Sequence, residues 1–81
     1  MAVTIAKFAF DPPTITVAPG QPITWTNTDP VPHTATSDDK AWDSGTLATG
    51  ASYTVTLTKP GTYKYHCTIH PYIVGTVVVQ G

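Results

Sequence analysis

The sequence predicts an all-β domain, a Greek-key sandwich of two sheets with about seven or eight short strands. Apolar and polar residues alternate with a period of two in nearly every segment, whereas no segment carries the apolar stripe of a helix. Eight Pro, six Gly and abundant Thr and Val favour strands joined by frequent turns. With 81 residues, the chain is expected to form one domain over residues 1–81, near the lower size limit of a single core.

The first third of the chain predicts three strands, each an alternating run that ends at a turn containing Pro. The first run ends at Asp11-Pro12-Pro13, because consecutive prolines cannot extend an inner ladder. The expected apolar positions of these strands are, in order, Val3, Ile5, Phe8 and Phe10, then Ile15 and Val17, then Ile23 and Trp25.

The middle of the chain predicts loops around one extended segment. Residues 27–33 contain two prolines and an Asp, so His33 is expected where a loop joins a strand. Residues 37–50 carry several Asp and Gly but only Trp42 and Leu47 as bulky apolar residues. This segment is expected to be a long connection with one short helical turn, and both tryptophans of the chain are expected to serve in packing.

The last third predicts three more strands. Alternating residues 53–57 mark one strand, and the Pro-Gly turn after it leads into either a hairpin or a link between the sheets. In the next strand, the alternation places Cys67 on the inward face and His66 on the outward face. A final strand is expected over residues 74–80.

Charge and hydropathy exclude several classes of protein. The net charge is −1, and the four Lys are scattered with no Arg, so the chain lacks the basic patch of a nucleic-acid-binding protein. No run approaches the roughly 18 apolar residues of a membrane span. The first residues alternate and do not resemble a signal peptide. The single Cys excludes an internal disulfide.

The stretch from residue 63 to residue 75 holds the only Cys and two of the three His. Cys67 and His70 are separated by two residues, where a strand enters a loop, so both side chains can share one metal ion. The third candidate ligand, His33, comes from a separate loop. One Cys and two His from two loops form the trigonal donor set of a blue copper site, usually completed by a weak axial Met.

Other interpretations of these residues are simpler. Cys67 alone would be a small buried hydrophobe, and each His a solvated side chain. A structural zinc site would typically need four protein ligands, and only three converge here. A nucleophilic thiol would need a base, an orienting group and an oxyanion hole, for which no motif is present. His66 is expected at the surface or beside the site, without binding metal.

The chain as a whole resembles a small cupredoxin of the plastocyanin, pseudoazurin and amicyanin group. The resemblance extends over essentially the whole sequence. It rests on four matching stretches, which are Pro32-His33, Trp42-Asp43-Ser44-Gly45, residues 60–71 and residues 75–79. The short spacing from Cys67 to His70 and on to residue 73 is similar to the ligand loop of amicyanin.

This resemblance implies that His33, Cys67 and His70 bind one copper ion and that the protein carries single electrons between redox partner proteins. It also implies that the protein has no enzymatic activity and that it acts in the periplasm or another extracytoplasmic compartment. We expect a monomer. Similar proteins have the axial Met where this chain has Ile73, which offers no donor atom. We expect the axial position to be empty or held weakly by the carbonyl of Pro32, and the reduction potential to be raised.

Residues beside the donors complete the expected site. Thr34 and Thr68 are expected to brace the two ligand loops. His70, Pro71 and Tyr72 are expected to form the electron-transfer port, an apolar patch on which partner proteins dock. Two other functions stay open, namely a copper-binding or copper-buffering module and a redox-inactive β-sandwich interaction domain.

Overall fold

Eight strands and no helix make up the chain in a computed structural model, which describes all of residues 1–81. The strands are β1 (Ala2–Ala6), β2 (Ala9–Asp11), β3 (Thr14–Val17), β4 (Pro22–Asn27), β5 (Thr36–Ser37), β6 (Ser52–Thr56), β7 (Gly61–His66) and β8 (Val74–Val79). Turns and loops connect them, and the longest connection joins β5 to β6.

The strands form two four-stranded sheets, and the predicted all-β sandwich is confirmed. One sheet has the order β2-β1-β4-β6, and the other has the order β3-β8-β7-β5. β1 runs parallel to β4 and β3 runs parallel to β8, whereas the other neighbours are antiparallel. Because β6 and β7 lie in different sheets, the Pro-Gly turn between them is a link between the sheets and not a hairpin.

The two sheets enclose a core of 16 buried apolar residues. The core follows the strand alternation, as in β3, where Ile15 and Val17 are buried and Thr14 and Thr16 are exposed. Trp25 stacks on Trp42 with 5.4 Å between ring centroids, and Tyr65 meets Trp25 edge-on at 5.3 Å. Both tryptophans therefore pack in the core, as expected. Burial raises the pKa of the Tyr65 hydroxyl to about 12, so this group stays neutral at physiological pH.

The first predicted strand is interrupted, and the prediction was wrong at Phe8. β1 and β2 form a hairpin in which Ala6 pairs with Ala9, so Lys7 and Phe8 are the whole turn. Their φ angles of 52° and 56° lie in the left-handed region, which costs a non-Gly residue roughly 1–2 kcal/mol. Phe8 is 45% exposed and lies outside the core. The Asn-Gly pair usual for such a turn is absent. The turn is held instead by a distant residue, Asp29, whose carboxylate accepts hydrogen bonds from the N–H groups of Lys7 and Phe8.

The connection between β5 and β6 contains no helical turn, contrary to the prediction. Short hydrogen-bonded turns at residues 38–39 and 49–50 reverse the chain. Two isolated bridges hold the connection, one between Thr36 and Asp43 and one between His33 and Leu47. Asp43 Oδ1 accepts hydrogen bonds from the Thr36 hydroxyl at 3.0 Å and from the Gly45 N–H at 2.9 Å. Such local bonds from an Asp side chain satisfy the backbone outside a helix, and they compete with helix formation.

Gly75 allows β7 and β8 to pair beneath a large aromatic ring. It lies opposite Tyr65 in the antiparallel register of these strands. The Tyr65 ring covers the glycine, so a Cβ atom at residue 75 would lie 2.6 Å from Tyr65 Oη and 2.8 Å from Tyr65 Cε1. These distances are too short for a side chain, and the position of the ring therefore depends on Gly at residue 75.

Gly75→Ala is expected to lower the free energy of unfolding by about 1–3 kcal/mol, the usual cost of overpacking a core. Chemical denaturation of the metal-free protein measures this change. The same substitution in a Tyr65→Leu background should cost less, because the ring that obstructs the new Cβ atom is gone. An equal cost in both backgrounds would contradict the role assigned to the ring.

Candidate metal centre

Three donor atoms predicted from the sequence lie together at one end of the sandwich. The side-chain donors of His33, Cys67 and His70 are all within 4.8 Å of one another. Cys67 Sγ is 3.6 Å from His33 Nδ1 and 4.0 Å from His70 Nδ1. Cys67 and His33 are fully buried, whereas His70 is half-buried. The structure therefore groups the predicted donors around a single position, with one imidazole near the surface.

The loop from β7 to β8 positions two of these donors. Cys67 follows the last residue of β7 and keeps the inward direction that the alternation predicts. The Cys67 N–H donates to the Ile73 carbonyl at 3.0 Å, and the Ile73 N–H donates to the His70 carbonyl at 2.9 Å. These two bonds close the loop on itself, so the spacing between thiol and imidazole is set by the backbone.

The third donor is fixed by the loop that precedes β5. His33 and Leu47 exchange two backbone hydrogen bonds, with the His33 N–H at 3.2 Å and the Leu47 N–H at 2.7 Å from the partner carbonyl. Asn27 secures the same region, because its Nδ2 donates to the carbonyls of Val31 and Leu47 at 2.9 Å each. The position of His33 is therefore fixed by its backbone hydrogen bonds to Leu47 and by the hydrogen bonds of the Asn27 side chain to the same region.

Thr34 joins the two ligand loops. Its backbone N–H donates to Cys67 Sγ at 3.3 Å, a bond that supplies a donor to the buried sulfur. Its Oγ1 accepts the Thr68 N–H at 2.8 Å and lies 3.2 Å from Thr68 Oγ1 and 3.0 Å from Thr36 Oγ1. Both threonines chosen from the sequence thus contact each other across the loops. His66, in contrast, points outward and pairs with Asp38 away from the donors.

Sequence reasoning missed Asp29. Its Oδ2 lies 2.8 Å from His33 Nε2, on the side of the imidazole opposite Cys67. Burial alone would raise the pKa of Asp29, but hydrogen bonds from the Phe8 N–H, from His33 and from the Lys7 N–H outweigh burial and lower this pKa. The carboxylate is therefore ionised and can accept a hydrogen bond from the Nε2–H group, in the tautomer that leaves Nδ1 free to bind metal. Asp29 lies four positions before His33, a spacing that could have marked the pair.

Phe8 was also missed as a neighbour of the site. Its ring meets His33 edge-on with 5.5 Å between centroids, and it meets His70 in the same manner at 5.3 Å. The two imidazoles are 5.0 Å apart, so one aromatic ring contacts both. Phe8 was assigned to a strand interior, and only the turn at residues 7–8 brings it here.

The remaining predicted site residues lie in or beside the ligand loop. Ile73 is buried and belongs to the core. Tyr72 is 70% exposed and its ring centroid is 6.1 Å from that of His70. Pro71 is exposed between them, and Pro32 is exposed directly before His33.

The donor set fits a single soft or borderline metal ion. One thiolate and two imidazole nitrogens suit copper, and the group contains no fourth His, Cys or carboxylate of the kind that closes a structural zinc site. The fold and the site together define a β-sandwich metalloprotein with one buried Cys-His-His centre. The chain belongs to the cupredoxin-like family, whose domain model matches residues 1–79.

Individual relatives support this membership. The chain is 37% identical over 83 residues to amicyanin-alpha of Methylorubrum extorquens, covering 96% of this chain and 70% of that protein. It is 30% identical over 91 residues to a plastocyanin of Synechococcus, covering 94% of this chain and 67% of that protein. The chain spans a smaller share, 65%, of the amicyanin of Paracoccus denitrificans.

Solved structures show the same fold. A purple cupredoxin from Nitrosopumilus maritimus has a TM-score of 0.92 and 30% sequence identity, and the match covers 98% of both chains. A Cu(I) form of an amicyanin variant has a TM-score of 0.92 and 34% identity, covering 99% of this chain and 81% of that one.

The expected cofactor, one type 1 copper, is confirmed by the family and by the grouped donors. No helix with the length and apolar character of a membrane span is present.

Thr34→Val is expected to lower the free energy of unfolding of the metal-free protein by about 1–3 kcal/mol, because it leaves the Thr68 N–H without its acceptor. Denaturant titration measures the loss. Thr68→Val is the matched control, since it removes a hydroxyl but keeps that N–H bond, and it should cost at most about 1 kcal/mol. Equal losses of unfolding free energy in the two variants would show that the bond from the Thr68 N–H to Thr34 Oγ1 adds no measurable stability.

Proposed function

We propose that this protein is a one-electron carrier whose single type 1 copper is bound by His33, Cys67 and His70. The observation that carries the proposal is the close grouping of these donor atoms, with all distances within 4.8 Å. When bound, copper supplies one electron at a time by changing between the Cu(I) and Cu(II) states. The residues of the chain hold the ion, exclude water and leave one imidazole near the surface.

Rigidity of the donors suits this function. Cys67 and His70 belong to a loop closed by its own backbone bonds, and His33 is paired with Leu47. Donors fixed in this way change little between oxidation states, so little energy is spent on rearrangement at each transfer. Electron transfer without rearrangement needs no substrate cavity, so the protein would act as a carrier without enzymatic activity.

The axial position is proposed to be that of Ile73, which is buried and bonded through its backbone to both Cys67 and His70. An alkyl side chain donates no electrons to Cu(II) and excludes water from the metal. Both effects disfavour the more highly charged oxidised state, so we expect a raised reduction potential. Any further ligand would be weak, and the Pro32 carbonyl is the candidate from the sequence.

The electron-transfer port is proposed to be the surface around His70. Apolar side chains surround this imidazole, with Tyr72 70% exposed, Ile69 43% exposed and Phe8 45% exposed, and Pro71 lies beside them. An apolar patch of this kind favours close docking of a redox partner protein. We propose that the protein acts as a monomer, and the similarity to amicyanin and plastocyanin supports an extracytoplasmic compartment.

Titration of the metal-free protein with Cu(II) tests the site directly. We expect an intense thiolate-to-copper absorption band that saturates at one equivalent, with the electron paramagnetic resonance signal of type 1 copper. Cys67→Ser should abolish the band, whereas His66→Ala, at a His outside the donor group, should retain it. Copper binding without reversible voltammetry would favour the buffering module, and no specific binding would favour the interaction domain.

Ile73→Met is expected to lower the reduction potential, because a thioether donates to Cu(II) and stabilises the oxidised state. Protein film voltammetry measures the shift. Ile73→Leu is the control, since it changes the shape of the side chain without adding a donor, and it should stay closer to the unsubstituted protein. A Met variant whose potential does not fall would place the side chain of residue 73 away from the axial position.

Tyr72→Lys is expected to slow electron self-exchange severalfold while leaving the visible spectrum unchanged, because two copies would meet through patches that now repel. Nuclear magnetic resonance line broadening in mixtures of oxidised and reduced protein measures the rate. Thr62→Lys is the control for net charge, because it adds the same charge near the start of β7, at the end of that strand away from the metal centre. Equal slowing by both substitutions would remove Tyr72 from the port.

A further inference from the structure

The Lys7–Phe8 turn has a backbone that neither residue favours. Both φ angles are positive, and neither residue is the Gly or Asn usual in such turns. Backbone of this kind persists where its surroundings hold it. Here the two turn amides donate to a single carboxylate, with the Lys7 N–H 2.6 Å from Asp29 Oδ1 and the Phe8 N–H 2.9 Å from Asp29 Oδ2.

The same carboxylate binds a metal ligand. Asp29 Oδ2 is 2.8 Å from His33 Nε2, and the Asp29 side chain is 8% exposed. No Lys side chain pairs with this buried charge, so the two turn amides and the imidazole compensate it. One side chain therefore connects the turn between β1 and β2 to the metal centre.

Asp29 itself is held at both of its backbone groups. Its N–H donates to Asn27 Oδ1 at 2.9 Å, and its carbonyl accepts the Thr49 hydroxyl at 2.6 Å. Asn27 is fully buried and also bonds the carbonyl of Leu47, the residue paired with His33. The main chain that carries the carboxylate is therefore anchored independently of the turn and of the imidazole.

We propose that Asp29 is a positioning residue of the copper site, which fixes the orientation of His33 and the Lys7–Phe8 turn together. The turn in this way places the Phe8 ring against both imidazoles. This inference rests on the proposed copper function only for its effects on the metal, because the clamp itself is formed by groups of the protein.

The chemistry of the contact gives Asp29 two effects. A carboxylate that accepts a hydrogen bond from Nε2–H keeps Nδ1 available and makes the imidazole a stronger donor to the metal. A stronger donor and a nearby negative charge both favour the oxidised state of the metal. Asn at residue 29 would supply one acceptor oxygen and one N–H2 donor, so it could not accept all three hydrogen bonds.

The main test compares Asp29→Asn with Asp43→Asn, which removes a carboxylate that also binds backbone and hydroxyl groups but touches no metal ligand. We expect Asp29→Asn to weaken copper binding by about 10–100-fold, measured by chelator competition. We also expect it to raise the reduction potential and to speed amide hydrogen exchange at Lys7 and Phe8 in the metal-free protein. Asp43→Asn should leave all three quantities unchanged.

A second variant separates the turn from the imidazole. Lys7→Asn with Phe8→Gly places the favoured Asn-Gly pair in the turn, which then no longer depends on Asp29 for its shape. Adding Asp29→Asn to this variant should leave turn order unchanged but still raise the potential. A potential that stays the same in this background would reduce Asp29 to a support for the turn.

A measurement on the unsubstituted protein completes the test and does not depend on whether a variant folds. Nitrogen-15 spectra of the metal-free protein should show the neutral His33 ring protonated at Nε2. A ring protonated at Nδ1, or unchanged amide exchange at residues 7 and 8 in Asp29→Asn, would overturn the proposal. If copper does not bind the unsubstituted protein, the carrier function fails while these metal-free measurements still decide the clamp.

Discussion

The register of β7 against β8 is the constraint on which the site depends. Side chains alternate along a strand, so a slip by one residue would turn Cys67 from the core toward solvent. The same slip would turn His66 toward the core. The pairing of Tyr65 with Gly75 prevents this slip, because the ring fits only over a residue without a side chain. The loop that carries His70 begins and ends on these two strands, and it inherits their alignment.

Around this frame, polar groups hold the ligands where apolar packing cannot. Thr34 joins the sulfur to the neighbouring loop, and Asp29 joins His33 to the first hairpin. Each polar group is buried and has a partner, so each bond adds direction as well as energy. A small core thus supports a centre whose geometry is defined by several separate parts of the chain.

The sequence predicts the parts of this arrangement that are local. Alternation identifies the strands and the inward direction of Cys67, and residue chemistry selects the three donors. The turn at Phe8 could not be predicted, because its support comes from Asp29, 21 residues away. The predicted helical turn in the connection after β5 is absent, and side-chain bonds of Asp43 hold a non-helical loop there instead.

The parallel pairing of β3 with β8 has a consequence for how the protein forms. It joins Thr14 to Thr76, so nearly the whole chain must be synthesised and closed into one loop before this sheet exists. Folds dominated by such distant contacts form slowly, over roughly milliseconds to seconds. Until that closure, the thiol of Cys67 is open to oxidants that could convert it to a sulfenic acid. A slower closure of this sheet therefore lengthens the time for which the newly made thiol is exposed.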